Sequence, residues 1–525
     1  MDIIEKEKKK RTILYGLLVT VLVLIGVTYA YYRITKTQTN SNVIGTRTCL
    51  DTTLTEETSE IVLSDAFPIS DEDGLKQSPF TFTLTNNCDS YVKVTIALVS
   101  EYRTSTNTAY LKDNYVKSNL STKGTNDGSS VILSTLSLEE VDTNTEGYIL
   151  KTTGLKNKEA KSFDLRLWLD SETTNEQGLN KTWKGKIVVS VVAAEYVPTF
   201  SETILANNEV KTPITTPGAT ISTASEALLA SAEDDNGTSY YFRGAVTNNY
   251  VEFANKCWRI VRVGGDGSVK LILHNDNPTG VANPCDPANN SASAAFARYS
   301  GEIYKSVFNT NYNDNAYVGF MYGAAGATDY ASTHANTNKS TILNNLEAWY
   351  TNNLTTYEKV IADTVWCNDK TNVTDTTYDP WGYDPNGLGS GTNVTIYGAT
   401  RRLVSISGSA GGTGPSLKCN GELSKINSKV GLITADELAY AGYAYRNYNT
   451  TTYLKENATD TSWWSLSPFD FGFGAAGVWD VGGADGDFGV NYGVGSPLGL
   501  RPSISLKPFT NVTGNGTSEK PYVVN

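Results

Sequence analysis

Apolar and polar residues alternate along several segments in the first third of the chain. The clearest are FTFTLTN (80–86), YVKVTIALVS (91–100), SFDLRLWLD (162–170) and KGKIVVSVVAA (184–194). A period of two is typical of strands that bury one face. The pattern predicts an antiparallel β-sandwich over residues 43–195, with NNCDS as the turn between the first two strands.

The pattern changes beyond residue 229. A Gly-Asp-Gly turn between CWRIVRV and SVKLILHN predicts a β-hairpin. The segment 339–350 then predicts a helix, because Ile342, Leu346 and Trp349 fall on one of its faces.

A second helix is indicated where Thr434 and Glu437 have the spacing of a capping box. The segment RPSISLKP predicts a buried strand that contains Ile504 and Leu506, and GNGTSEKPYVVN predicts a short edge strand. Strands and helices mixed in this way indicate an α+β domain over residues 229–525. The chain is therefore expected to be mostly β overall.

The N-terminal region predicts export. The basic segment 1–11, which ends in KEKKKR, precedes an uncharged apolar segment at 12–32. This arrangement favours a transmembrane helix with a cytoplasmic N-terminus, so we expect a single-pass membrane protein whose bulk is extracellular. A cleaved signal peptide is the alternative. Residues 196–228 are rich in Pro, Thr and Ser, and predict a linker or stalk between the two domains.

The net charge of −12 argues against a nucleic-acid partner held through its phosphates. Six cysteines fit an oxidising exterior. Six cysteines allow about 15 connectivities. The most local pairing joins Cys49 to Cys88, Cys257 to Cys285 and Cys367 to Cys419. No CxxC motif occurs, so a zinc knuckle is not expected.

Catalytic motifs are missing from the sequence. The two histidines, His274 and His334, lie beside no recognisable nucleophile motif, and no P-loop, GxSxG or HExxH occurs. Carboxylates alone can hydrolyse glycosides or ligate Ca²⁺, and the candidates for either role are Asp470, Asp480, Asp485 and Asp487. Their glycine-flanked positions and spacing favour neither role, so we expect no enzyme activity and no cofactor.

Residues 467–502 differ in composition from the rest of the chain, because they contain no Lys, Glu, Gln or Met. Aromatic side chains on a glycine-rich backbone suit ligand recognition. We expect Phe473 and Phe471 to be exposed and Trp479 to be in the core. The residues predicted to face a ligand are Asp470, Phe471, Phe473, Asp480, Asp487, Phe488, Asn491 and Tyr492. The residues predicted to be structural are Trp463, Trp464, Trp479 and Arg501.

Two family resemblances extend this interpretation. The first domain resembles the TasA/camelysin-like exported β-sandwich domains of Gram-positive bacteria. The matching features are the apolar segment just upstream, FTFTLTNNCDSYVKV, SFDLRLWLDSE and KTWKGKIVVSV. That resemblance implies a cell-surface or fibre-subunit role. A plain spacer domain is the alternative.

The second domain resembles a family of exported Gram-positive proteins. The motifs that carry this resemblance are GTSYYFRG, CWRIVRV, the WC…KC spacing, WWSLSP and LGLRPSISLKP. The resemblance implies a C-type-lectin-like fold over 229–525, related to the formylglycine-generating enzyme. The active-site cysteines of that enzyme have no counterpart in the C-terminal part of this chain, since no Cys follows Cys419. The EPN/QPD motif of animal lectins is also missing. The resemblance therefore implies neither catalysis nor lectin activity.

Some proteins of this fold are targets of diversity-generating retroelements, which mutate adenines, typically in Asn codons near the C-terminus. Replacement of both adenines of AAC cannot produce Lys, Glu, Gln, Met or Trp. Every residue between Phe469 and Gly499 except Trp479 is reachable in this way. We therefore expect a variable region within 467–502 that binds a protein or glycan on another cell, a phage or a host. The alternatives are a structural surface fibre subunit and a carboxylate-dependent glycoside hydrolase.

Overall fold

The computed structural model describes residues 34–37, 49–58, 61, 66–278 and 280–524; for 34–37 it describes the backbone only. The chain is mostly β, as predicted, and divides into two compact units, Met1–Val197 and Pro198–Asn525.

The described part of the first unit contains two short helices, α1 (Asp71–Gly74) and α2 (Asn175–Gly178). Its strands are β1 (Ile34–Thr37), β2 (Thr52–Glu56), β3 (Pro68–Ile69), β4 (Phe80–Asn86), β5 (Val92–Ser100), β6 (Val116–Thr122), β7 (Val131–Ile132), β8 (Leu138–Asp142), β9 (Thr145–Leu155), β10 (Ala160–Asp170) and β11 (Gly185–Ala193). They form two sheets, with the spatial orders β1-β11-β5-β9-β8 and β2-β4-β10-β6-β7, and β3 pairs with β10.

The two sheets of the first unit share one hydrophobic core. Alternate residues supply it, such as Phe82 and Leu84 on β4 and Val94 and Ile96 on β5. β4 and β5 belong to different sheets, so the NNCDS segment between them crosses from one sheet to the other and does not close a hairpin. The disulfide Cys49–Cys88 ties this crossing to the start of β2.

The second unit contains α3 (Phe200–Asn207), α4 (Tyr330–His334), α5 (Thr341–Asn353), α6 (Gly398–Leu403) and α7 (Ala435–Ala441). Its strands are β12 (Ala227–Asp234), β13 (Gly237–Gly244), β14 (Tyr250–Phe253), β15 (Lys256–Val263), β16 (Val269–Asn275), β17 (Arg298–Tyr299), β18 (Glu302–Ile303), β19 (Lys305–Ser306), β20 (Met321–Tyr322), β21 (Asn338–Lys339), β22 (Thr364–Cys367), β23 (Thr395–Ile396), β24 (Lys425–Ser428), β25 (Trp463–Gly472), β26 (Ala475–Val481), β27 (Phe488–Gly489), β28 (Leu498–Gly499), β29 (Ser503–Leu506), β30 (Val512–Thr513) and β31 (Tyr522–Val524).

Two larger sheets organise the second unit. One has the order β12-β13-β15-β14-β31-β30, with β16 between β15 and β29; the other has the order β19-β28-β25-β26-β27, with β23 on β25. The predicted β15–β16 hairpin, the helix α5 and the buried strand β29 are all present. The side chain of Thr434 caps α7 in the predicted capping box with Glu437. β31 is not an edge strand, because β14 and β30 flank it.

The predicted stalk is corrected by the structure. The second unit begins at Pro198, and residues 200–207 form α3, whose Phe200 and Ile204 are completely buried. Further along, the buried carboxylate of Glu226 forms an ion pair of 3.1 Å with Arg243 on β13. The linker was predicted from the Pro/Thr/Ser-rich composition of the segment, which does not reveal these few buried residues.

The predicted single-pass membrane location is also corrected. Within residues 49–524 and the short strand β1, as far as these are described, no helix is long and apolar enough to cross a bilayer. The segments 1–11 and 12–32, on which the prediction rested, lie outside the described residues.

All three predicted disulfides are present: Cys49–Cys88, Cys257–Cys285 and Cys367–Cys419. Such bonds are typical of proteins in oxidising compartments.

Candidate functional site

The compositionally distinct stretch forms a β-hairpin. β25 and β26 pair up to Gly472 and Ala475, so only Phe473 and Gly474 form the turn. Both residues have positive φ, +51° at Phe473 and +76° at Gly474, which is the pattern of a type I′ turn. Such turns favour Asn-Gly, because a residue with a bulky side chain is strained in the left-handed region of backbone conformation. Phe473 therefore occupies a position that disfavours it.

The ring of Phe473 gains little from folding, because 88% of the residue is exposed. Its described ring contact is an edge-on packing against Tyr383, with 4.8 Å between ring centroids. Strained residues of this kind cluster at functional sites, where the strain is retained for a reason other than stability. The exposure predicted for Phe473 is confirmed.

A second segment is held beside the hairpin by Asp480 on β26. The buried carboxylate of Asp480 accepts hydrogen bonds from the backbone N–H of Asn491 (2.7 Å), the side-chain amide of Asn491 (2.9 Å) and the backbone N–H of Tyr492 (3.2 Å). Burial raises the pKa of Asp480 to about 7, although these hydrogen bonds act in the opposite direction. Asp480 therefore positions the exposed side chains of Asn491 and Tyr492 and does not face solvent itself.

Arg446 also forms hydrogen bonds to the segment that contains Asn491. Its guanidinium donates hydrogen bonds to Asn491 Oδ1 (3.0 Å) and to Asp487 Oδ2 (3.2 Å). About half of the Arg446 side chain remains exposed. We call the surface formed by Tyr383, Arg446, Phe473, Asn491 and Tyr492 the tip surface.

A carboxyl group lies beneath the tip surface. Asp470 on β25 is 8% exposed, and none of the described residues donates a hydrogen bond to its side chain. In the sheet it stands between the completely buried Ile396 and Gly477. Burial alone raises the pKa of Asp470 to about 7.

Two glycines make room for this carboxyl group. A Cβ at Gly477 would lie 2.6 Å from Asp470 Oδ1, closer than van der Waals contact permits. A Cβ at Gly472 would lie 3.4 Å from Asp470 Oδ2 and 3.3 Å from the ring of Tyr383. The carboxyl group is thus next to Tyr383, and no side chain on these two strand positions covers it.

Two residues predicted to face a ligand are in the core. Phe471 is 1% exposed and Phe488 is fully buried. Glycine neighbours suggested a loop, but they are accommodated in paired strands, and Phe471 lies in the core because both faces of β25 are buried. Phe488 packs on Trp479, with 4.6 Å between ring centroids.

The residues predicted to be structural are all buried: Trp463, Trp464, Trp479 and Arg501. Arg501 donates hydrogen bonds to the carbonyls of Leu273 (3.1 Å) and Leu454 (2.6 Å), and its guanidinium lies 4.8 Å from the ring centroid of Trp463. Through these contacts Arg501 joins β16 to Trp463 at the start of β25.

The two histidines are buried, and the charged residues of the main polar cavity pair with each other. Burial lowers the pKa of His334 to about 3 and that of His274 well below its usual range. A polar cavity of about 270 Å³ is lined by charged residues that pair with each other, such as Arg402 with Asp369 and Asp436. In the described part of the chain, no group of three or more His, Cys, Asp or Glu side chains is placed to hold a metal ion.

Tyr383 and Arg446 were not predicted as site residues. Tyr383 lies in the Gly/Asn/Tyr/Asp-rich segment between β22 and β23, and Arg446 follows α7 with a positive φ of +53°. The aromatic residues of that segment were a weak signal for Tyr383, and no sequence pattern indicated Arg446. Comparisons of the chain with protein-family models, with curated proteins and with solved structures gave no match. The two resemblances therefore rest on sequence motifs alone.

Proposed function

We propose that this protein is an extracellular ligand-binding protein that presents the tip surface for recognition. In this proposal the first unit is a β-sandwich and the second is a C-type-lectin-like domain. The observation that carries the proposal is Phe473, which is 88% exposed in a left-handed turn position. A sequence selected for stability alone would place Asn there and would bury the ring elsewhere.

The surroundings of Phe473 fit recognition without bond chemistry. Exposed aromatic rings offer large contact area at low entropic cost, and Phe473 and Tyr383 supply two of them. Arg446 and Asn491 add polar groups that are already oriented by hydrogen bonds to each other. Such preorganisation reduces the entropy lost on binding.

We also propose that the tip surface is diversified by a retroelement. Support comes from the residues reachable from AAC codons and from burial. Trp479, the unreachable residue between Phe469 and Gly499, is fully buried, whereas Phe473, Asn491 and Tyr492 are exposed. Exposed positions tolerate substitution without loss of the core.

The test is a binding selection on the full chain. A displayed library of random twelve-residue peptides and a glycan array are probed with the parent and with two variants, Phe473→Asn and Phe509→Asn. Phe509 is a matched control, because it is another exposed Phe of the second unit. We expect ligands whose binding is lost in Phe473→Asn and kept in Phe509→Asn. Ligands that bind both variants equally, or no ligands at all, would refute the proposal.

A further inference from the structure

The carboxyl group of Asp470 forms no ion pair with any residue that the structure describes, and burial is the one cause that shifts its pKa. It is more than nine-tenths buried, yet none of the described residues donates a hydrogen bond to it. A buried polar group without a partner normally destabilises a protein. By contrast, the buried carboxylate of Asp480, on the next strand, accepts three hydrogen bonds.

Among the residues that the structure describes, no positively charged side chain pairs with Asp470. The cation at the tip surface, Arg446, is directed to Asp487 and Asn491. The pKa of Asp470 is raised by burial, with no cation acting in the opposite direction. The titratable groups that face it are the hydroxyls of Tyr383 and Tyr397, whose pKa values are also raised. The site therefore lacks one positive charge.

Aromatic rings border the same position. Tyr383 lies over Gly472 next to Asp470 Oδ2, and Phe473 packs edge-on against Tyr383. A carboxylate beside aromatic faces matches a guanidinium, which can donate two parallel hydrogen bonds to the carboxylate and stack on a ring. A sugar hydroxyl would supply a hydrogen bond but no charge.

We propose that Asp470 is a specificity-determining residue that receives the guanidinium of an arginine on a protein ligand, with Tyr383 and Phe473 flanking it. The inference rests on the proposed function, since it assigns a chemical class to the ligand of the tip surface. Glycines at positions 472 and 477 are part of the site, because side chains there would occupy the approach to the carboxyl group.

The test uses peptides selected from the random library by the full chain. Each peptide that loses binding in Phe473→Asn is resynthesised with each arginine replaced by citrulline, which keeps the shape and removes the charge. On the parent we expect a loss of about tenfold or more at one arginine. On Asp470→Asn the same replacement should change affinity less than about twofold, because the charged partner is gone.

The outcomes separate the two proposals. Peptides that depend on Phe473 but tolerate citrulline at every arginine would overturn the arginine assignment and leave the proposed function standing. Ligands that depend on Phe473 and come only from the glycan array would do the same. The absence of any ligand that depends on Phe473 would overturn both. The citrulline comparison on the parent stands even if Asp470→Asn does not fold.

Discussion

Replacing Asp470 by Asn should change how the stability of the second unit depends on pH. In the folded chain burial raises the pKa of Asp470 to about 7, from an ordinary value of 3.8. Between these values the folded state holds a proton that the unfolded state has released, so the stability of the parent falls as pH rises from about 4 to about 7. Asn cannot ionise, so the variant lacks this loss.

The magnitude follows from the pKa difference. Each pKa unit corresponds to about 1.4 kcal/mol, so the difference at Asp470 amounts to roughly 4 kcal/mol. The free energy of unfolding of Asp470→Asn, relative to the parent, should rise by about this amount between pH 4 and pH 8. Any constant effect of the amide group cancels in this comparison. Asp480 is unchanged in both proteins and also cancels.

The assay is unfolding by guanidinium chloride with the disulfides intact, followed by tryptophan fluorescence. Seven of the nine tryptophans lie at position 258 or beyond, so the signal reports mainly on the second unit. Asp460→Asn is the control, because Asp460 is a solvent-exposed carboxylate of the same unit. A variant whose pH profile runs parallel to that of the parent would show that Asp470 is hydrated or partnered in solution, and would refute the reasoning.

Three further predictions concern the hairpin and its neighbours. Phe473→Asn should raise the free energy of unfolding by about 1 kcal/mol in the same assay, because it relieves left-handed strain and sacrifices little burial; a destabilised variant would contradict this. Asp480→Ala should accelerate amide hydrogen exchange at Asn491 and Tyr492 by roughly tenfold or more, since their acceptor is removed; unchanged exchange would show that water replaces it. Deep sequencing of codons 467–502 across a population should show variation at 473, 491 and 492 and none at Trp479, with a near-copy differing at adenines in flanking DNA. An invariant sequence without a template would reduce the tip surface to a fixed binding site.

Much of the fold could be predicted because local patterns and burial agree. Period-two segments became β4, β5, β10 and β11, and the capping box at Thr434 starts α7. The disulfides follow the shortest sequence separations. What local patterns could not show was which strands share a sheet, so the turn predicted at NNCDS gave no sign that it joins two different sheets.

The site was predicted less completely than the fold. The hairpin was missed because Phe-Gly is an unfavourable pair for a type I′ turn, and the usual Asn-Gly signal is absent. Phe471 and Phe473 both adjoin Gly472, yet Phe471 lies in the fully buried strand β25 and Phe473 lies in the exposed turn. Tyr383 and Arg446 reach the tip surface from distant segments, and no sequence pattern places them there.

The arrangement of the hairpin explains how a recognition surface could vary without loss of the fold. Phe469, Trp479 and Phe488 form a continuous aromatic cluster beneath it, with ring centroids 4.9 Å and 4.6 Å apart. The turn at Phe473 projects beyond this cluster, and its ring contributes little burial. If the proposed function holds, substitution there changes the ligand contact and the local turn strain, while the packing that holds β25 and β26 is retained. Asp470 on β25 is 8% exposed, so in the proposed function its carboxyl group is buried enough for a charge on the ligand to matter.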